Sequence, residues 1–383
     1  MLNFELSDEQ AAIYEMAKTF GLERLGQGAA HWDQTKTFPV EVLKEAASLG
    51  LGAIYTDEEY GGTGLSRLAA TLAFEGLAMG CPSIAAFLSI HNMCTWMIDK
   101  FASNELRAAF VPKLAQMDAI ASYCLTEPGS GSDAAALRTT AVRQGDHFVL
   151  NGSKAFVSGA GASDVYIVMC RTGGLGPSGI SAILVEKGAP GFSFGAQEKK
   201  MGWNAQPTAL VQFDDCKVPA KNLIGVEGDG FTYAMQGLDG GRLNIAACSL
   251  GGAQAALDKA LEYTAERKAF GKTLDQFQVL QFKLADMEIA LQAGRIFLRQ
   301  AAWKLDQGAP DATKFCAMAK CFVTDAAFEA ANEALQIHGG YGYLADYGIE
   351  KIVRDLRVHQ ILEGTNEIMR MITARTLLAG RGL

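Results

Sequence analysis

Apolar positions recur at helical spacing through roughly the first hundred residues. Ser7-Asp8-Glu9-Gln10 has the form of a capping box, and the helix it opens carries Ile13, Met16, Ala17 and Phe20 on one side. Pro39 suits the first turn of the next helix, which Gly50 ends. A glycine-rich loop at Tyr60 to Gly64 leads into two apolar helices separated by Cys81-Pro82-Ser83, and a further helix runs from Asn104 to Ala115. The texture changes at Ala119. Strands are expected at Ala121 to Thr126, Asp164 to Cys170, Ile180 to Glu186 and Ala209 to Phe213, with two more between Val142 and Ser158 joined in a hairpin at Asn151-Gly152. Helical spacing then returns over Gly230 to Arg267, Asp275 to Asp306 and Asp311 to His338, the last with Phe315, Met318, Phe322, Ala326 and Ala330 on one face. Long helices with short connections pack as a bundle. The order predicts an α+β multidomain chain: a helical domain over 1–118, an antiparallel β-domain over 119–228 and a helical-bundle domain over 229–383.

Composition narrows the class of function. The 383 residues are 49% hydrophobic and 20% charged, as in ordinary globular proteins. A net charge of −8 without a basic run argues against nucleic acid or an anionic membrane surface as partner. No apolar run has the length needed to insert in a bilayer, and the N-terminus has neither signal-peptide nor transit-peptide character, so a cytosolic setting is expected, or one reached by a targeting segment since removed. Eight scattered cysteines and five histidines show no disulfide framework and no ligand spacing, which predicts no metal site.

Several stretches carry candidate chemistry. Gly129 to Ala134 and Gly174 to Gly179 have dinucleotide-fingerprint spacing, but neither sits between a strand and a helix, so a nicotinamide domain is rejected. The first run is either a flexible loop or a bed of backbone N–H groups for a phosphate or a flat ring. Within a predicted helix, Gly237, Gly240 and Gly241 each cost about 1 kcal/mol relative to alanine. They mark a kink, a helix boundary or a close approach, and the adjacent Arg242 is either a solvated cation or a carboxylate or phosphate partner. Arg267 is either a helix C-terminal cation or a diphosphate ligand. Glu363 closes an apolar run just before Gly364 and a final helix. It either complements that helix's dipole or is a buried carboxylate raised toward neutral pH as a base.

Four separated motifs resemble the acyl-CoA dehydrogenases over essentially the whole chain: Tyr123 to Asp133, Arg267 to Gly271, Gln336 to Gly342, and Glu363 to Glu367. The resemblance implies a helical domain, a β-barrel-like domain and a four-helix bundle, with FAD as cofactor and assembly into a homotetramer as a dimer of dimers. It places Tyr123, Cys124, Leu125, Thr126, Gly131, Ser132, Phe156, Val157 and Ser158 around the flavin. Arg267, Phe270, Phe277, Gln278 and Gln336, Ile337, His338, Gly339 and Gly340 reach FAD across a subunit interface, and Thr365, Asn366 and Glu367 complete that site. Ser132, Asp239, Gly240, Gly241, Arg242, Gly364 and Arg375 match acyl-CoA contacts, and Glu363 matches the catalytic base.

The implied reaction is α,β-dehydrogenation of an acyl-CoA, with electrons passed to an electron-transferring flavoprotein in the bacterial cytoplasm or the mitochondrial matrix. Gly241 stands where some members carry their base, which leaves Glu363. Leu362 and Phe156 replace a tyrosine and a tryptophan found in other members, in keeping with a short, branched acyl group. Isobutyryl-CoA is favoured, with 2-methylbutyryl-CoA or short straight chains as neighbours, since one methylene changes selectivity by only about 1 to 3 kcal/mol. The competing expectations are a flavin oxidase or monooxygenase on the same fold and a non-catalytic helical assembly protein.

Overall fold

The structure is a computed structural model that describes residues 5–379. Its first segment is helical: α1 (Asp8–Phe20), α2 (Gln27–Thr35), α3 (Val40–Ser48), α4 (Arg67–Gly80), α5 (Pro82–Phe101) and α6 (Asn104–Ala115). The capping box at α1 is formed in both directions, Gln10 N–H to Ser7 Oγ at 3.2 Å and Ser7 N–H to Gln10 Oε1 at 3.1 Å. A π-helical turn, Gly21–Gly26, joins α1 to α2. There α4 crosses so closely that a Cβ on Gly80 would lie 1.7 Å from the Gly21 carbonyl oxygen. Helix α4 is apolar but for Arg67, Thr71 and Glu75 and is buried along nearly its whole length.

The middle segment is one eight-stranded sheet built from β1 (Ala121–Cys124), β2 (Thr140–Gln144), β3 (His147–Ser158), β4 (Val165–Arg171), β5 (Ile180–Glu186), β6 (Phe192–Gln197), β7 (Thr208–Pro219) and β8 (Leu223–Ile224). The strand order is β6-β7-β3-β2-β4-β5-β8, with β1 beside β4. Pairing is antiparallel except where β1 and one residue of β2 run parallel to β4.

The hairpin expected at Asn151-Gly152 is instead turned at Gly145 and Asp146, where Gly145 takes a φ of 63°. Asn151 and Gly152 lie inside β3, and Asn151 is not among the positive-φ residues, so it cannot form the turn that an Asn-Gly pair favours. Gly152 instead follows a register shift against β7. The Asn151 amide bridges that bulge to Asp215, donating to its carboxylate at 3.0 Å and accepting its backbone N–H at 2.8 Å.

The last segment holds α7 (Gly230–Glu266), a small ribbon of β9 (Lys268–Ala269) and β10 (Lys272–Thr273), α8 (Gln278–Asp306), α9 (Ala312–His338), α10 (Ile349–Arg357) and α11 (Asn366–Ala379). Helix α7 runs unbroken through Gly237, Gly240 and Gly241, which removes the boundary reading. It packs on α4, α5, α8 and α9, so the two helical segments share one apolar core.

Of the face expected on α9, Ala330 alone is fully buried. Cys316, Ala319, Val323, Ala327, Ala331 and Ala334 point inward, while Phe322 is exposed and Phe315 and Met318 are half-buried. Most of the residues that α9 buries are small, alanines above all. Its larger rings meet Phe297 of α8 on the outer side. Among the described residues, no helix is long and apolar enough to cross a membrane.

Candidate active site

Between α10 and α11 the chain reverses through two successive left-handed residues, Glu363 with φ 53° and Gly364 with φ 90°. For a residue with a side chain this backbone costs about 1 to 2 kcal/mol, so the turn must be held from outside. Two cations hold it by its carbonyls: Arg242 Nε donates to the Glu363 oxygen at 3.3 Å, and Lys320 Nζ to the Gly364 oxygen at 2.9 Å. Lys320 also donates to Asn366 Oδ1 at 2.9 Å, and Thr365 Oγ1 caps α11 by accepting the Ile368 N–H at 3.3 Å.

The Glu363 carboxylate is left without these cations as direct partners. The residue as a whole keeps some exposure, but its Oε2 is shielded and has no hydrogen-bond partner among the described residues. It rests against Gly241, where a Cβ would lie 2.4 Å from Oε2. Burial pushes its pKa up to about 7, against the pull of Lys320 and Arg242. A carboxylate poised near neutral pH is a competent general base.

The neighbouring expected acyl-CoA residues have mixed surroundings. Asp239 and Arg242 form a buried pair at 2.7 Å, and Thr313 donates to the other Asp239 oxygen at 2.6 Å. Arg242 is therefore occupied by an internal carboxylate and by the Glu363 carbonyl. Gly240 abuts the guanidinium of Arg67, and Gly364 forms the turn itself. Ser132 is exposed at the tip of the glycine run, and Arg375 is exposed on α11.

That run is shaped by Glu127, whose carboxylate accepts the Arg138 and Thr139 N–H groups at 2.7 and 2.8 Å and the buried Lys154 ammonium at 2.8 Å. Upstream, Tyr123 holds a shielded hydroxyl without a partner among the described residues, and Leu125 and Thr126 are half-buried. Cys124 points into the core and offers only its main chain. Across on β3, Phe156 takes a φ of 57° and is 70% exposed, followed by buried Val157 and half-buried Ser158. A ring presented to solvent in strained backbone, beside open backbone at Gly129 and Gly131, fits a flat aromatic cofactor.

The other expected cofactor residues form separate patches. Arg267, Ile337, His338, Gly339 and Gly340 line a cavity of about 420 Å³ with Tyr263 and Tyr341. Arg267 lies over the Tyr341 ring at 5.3 Å, and a Cβ on Gly339 or Gly340 would meet nothing within 4 Å. Phe270 is 96% exposed and touches Phe277 edge-on, and Gln278 and Gln336 are exposed. Thr365, Asn366 and Glu367 line a different cavity of about 270 Å³. The Asn366 amide is spent internally, on Lys320, Thr324 and Asp325.

Sequence reasoning missed Arg67 and Lys320. For Lys320 a signal existed, since it falls on the stripe with Cys316, Val323 and Ala327 that α9 buries. For Arg67 there was none, because an arginine one residue past a serine cap reads as solvated.

The models of the acyl-CoA dehydrogenase N-terminal, middle and C-terminal domains match residues 7–118, 122–216 and 228–378. The chain belongs to the acyl-CoA dehydrogenase family. It is an oxidoreductase of that FAD-dependent family, and the residues around Phe156 and Arg267 fit such a cofactor. It is 56% identical over 373 residues to mitochondrial isobutyryl-CoA dehydrogenase of Bos taurus, covering 97% of this chain and 90% of that one. It is also similar to the solved butyryl-CoA dehydrogenase of Megasphaera elsdenii, with TM-score 0.95, 39% identity and coverage of 98% and 100%. A structure of PigA with FAD and proline shares the fold as well, with TM-score 0.95, 32% identity and coverage of 98% and 99%.

Proposed function

We propose that this acyl-CoA dehydrogenase acts on a short, branched acyl-CoA, isobutyryl-CoA first, and that Glu363 is its base. The observation that carries the proposal is the unpartnered Glu363 carboxylate lodged against Gly241 with its pKa raised to about 7. The proton next to a thioester carbonyl is removed only if negative charge flows onto the carbonyl oxygen. A donor aimed at that oxygen lowers the barrier. The Glu363 backbone N–H is the chain's own candidate for that donor, carried by the same rigid turn as the carboxylate. The Oε2 atom of the base is itself shielded from solvent. When bound, FAD supplies the acceptor for the β-hydrogen as hydride, which leaves an α,β-unsaturated thioester.

The identity to the bovine enzyme supports isobutyryl-CoA and a place in valine catabolism, in the mitochondrial matrix or the bacterial cytoplasm. An electron-transferring flavoprotein is the proposed acceptor of the reducing equivalents. A homotetramer is supported by an exposed apolar stripe on α8, where Phe282, Ile289, Ile296 and Trp303 recur at every seventh residue. Such a stripe is the pattern that helices bury against one another.

The test is the visible flavin spectrum during anaerobic addition of isobutyryl-CoA. Prompt bleaching is expected. A yellow protein that bleaches with none of the short acyl-CoA thioesters would overturn the substrate class, and peroxide formation in air would move the enzyme to the oxidases.

A further inference from the structure

Gly237, Gly240 and Gly241 of α7 each admit a side chain from a different part of the chain. At Gly237 a Cβ would lie 3.1 Å from Met97 Sδ of α5, at Gly240 2.2 Å from Arg67 Nη1 of α4, and at Gly241 2.4 Å from Glu363 Oε2. Arg67 and Glu363 therefore flank adjacent residues of one helix, whose Cα atoms are only about 3.8 Å apart.

Arg67 is held in that position from several sides. Asp306 accepts its backbone N–H at 2.7 Å and that of Leu68 at 3.1 Å, which fixes the start of α4. Its guanidinium lies 3.6 Å from the Tyr55 ring centroid and 4.7 Å from that of Trp96, and Asn244 of α7 donates to the Tyr55 hydroxyl at 3.1 Å. Only 9% of the residue is exposed, and Nη1 has no hydrogen-bond partner among the described residues. A cation clamped on two aromatic faces is hard to displace.

We infer that Arg67 is a specificity-determining residue that closes the far end of the acyl pocket and limits the acyl group to a short chain. The inference rests on the acyl-CoA reading of the Glu363 site. An α-carbon within reach of Glu363, about 3 Å from its carboxylate, lies beside Gly241. A chain extended along α7 then meets the guanidinium at Gly240 after a few carbons. Further methylenes must either push Arg67 off its two rings or press against an unpartnered N–H, and neither is favourable. A branched four-carbon acyl group stops short of it.

The experiment compares wild type, Arg67→Met and Arg67→Ala, each also in a Glu363→Gln background that permits binding without turnover. Calorimetry on the Glu363→Gln forms measures Kd for isobutyryl-CoA, hexanoyl-CoA and octanoyl-CoA, and stopped-flow flavin reduction gives kcat/KM on the others. The expected result is a shift of at least tenfold in the hexanoyl-to-isobutyryl ratio toward the longer chain, in both Kd and kcat/KM, larger for Ala than for Met. Flavin content as in wild type shows that the variants fold, and if Ala fails that control the shift is read from Met. An unchanged ratio in flavin-replete variants that still bind acyl-CoA would overturn the role of Arg67 alone. If the Glu363→Gln protein binds no acyl-CoA of any length, the reading of the site falls, and the inference with it.

Discussion

The Glu363 turn and the Arg267 segment handle charge in opposite ways. Around Glu363, Arg242, Lys320, Asp239 and Asn366 are paired with one another or with main-chain carbonyls, and Glu363 Oε2 is the group left over. Arg267, by contrast, is exposed and makes no ion pair among the described residues, beside an open glycine backbone and a nearly bare Phe270. The first is a finished interior, in which one chain supplies the carboxylate and the groups around it. The second has the character of a surface waiting for cofactor and partner, as expected of residues that complete a site across a subunit interface. Damage to the first should therefore appear in the chemical step, and damage to the second in what the protein retains.

The largest effect is expected from Glu363→Gln. The amide keeps the shape and cannot accept the proton, so flavin reduction by acyl-CoA should fall by about 10²- to 10⁴-fold, the usual worth of a positioned base. Flavin content and acyl-CoA affinity should stay as in wild type, measured by absorbance and calorimetry. Near-normal reduction would remove Glu363 from the role of base. Next comes Gly241→Ala, whose added methyl would sit 2.4 Å from Oε2 and push the carboxylate aside. A displacement of about 1 Å costs on the order of 10²-fold in rate, again with flavin retained; an unaffected reduction rate would show that the contact does not position the base.

Much of this was legible in the sequence, for reasons that differ by element. The α1 cap, the extent of α6 and the long spans of α7 and α9 follow from local rules that tertiary structure did not need to override. Asn151-Gly152 misled because the pair's turn preference is local, whereas its place inside β3 is set by pairing with β2 and β7. The α9 face misled because a central helix buries its small residues, and size rather than hydropathy decides which side faces α7. The glycines of α7 were read as a close approach, a kink or a boundary, and only the structure names what approaches. The α9 stripe marks Lys320 as buried, but its partner, the Gly364 carbonyl, like the Tyr55 ring that holds Arg67, is brought by a distant segment that local pattern does not reveal.

A smaller effect should come from the outer patch. Arg267→Ala should lower FAD retention by about tenfold, the worth of one charge-assisted contact of roughly 1.4 kcal/mol, as read by flavin released on gel filtration. The rate of reduction per bound flavin should not change. Ile289→Glu with Ile296→Glu places two acids on the exposed α8 stripe and should lower the assembly mass in ultracentrifugation. Flavin content should fall with it if the patch is completed by a second copy. Full flavin content in a dissociated protein would mean that the two halves of the site belong to one chain after all.

The smallest effect sharpens the comparison most, because it separates holding the turn from tuning its charge. Lys320 is buried, its own pKa is pushed down to about 8 by that burial, and its positive charge lowers the pKa of Glu363. With Glu363 as the proposed base, activity requires it ionised and should rise with pH through about 7 in the free enzyme. Lys320→Met removes a charge that favours the ionised form, so the acid limb of the kcat/KM profile should move to higher pH, never lower. The same change leaves the Gly364 carbonyl and Asn366 Oδ1 without their ammonium donor and should cost about 1 to 3 kcal/mol of stability, visible in denaturant unfolding. A stability loss with no movement of the acid limb would make Lys320 a clasp for the strained turn and nothing more. Movement to lower pH would mean that burial of the carboxylate, relaxed when the turn loosens, outweighs the lost charge.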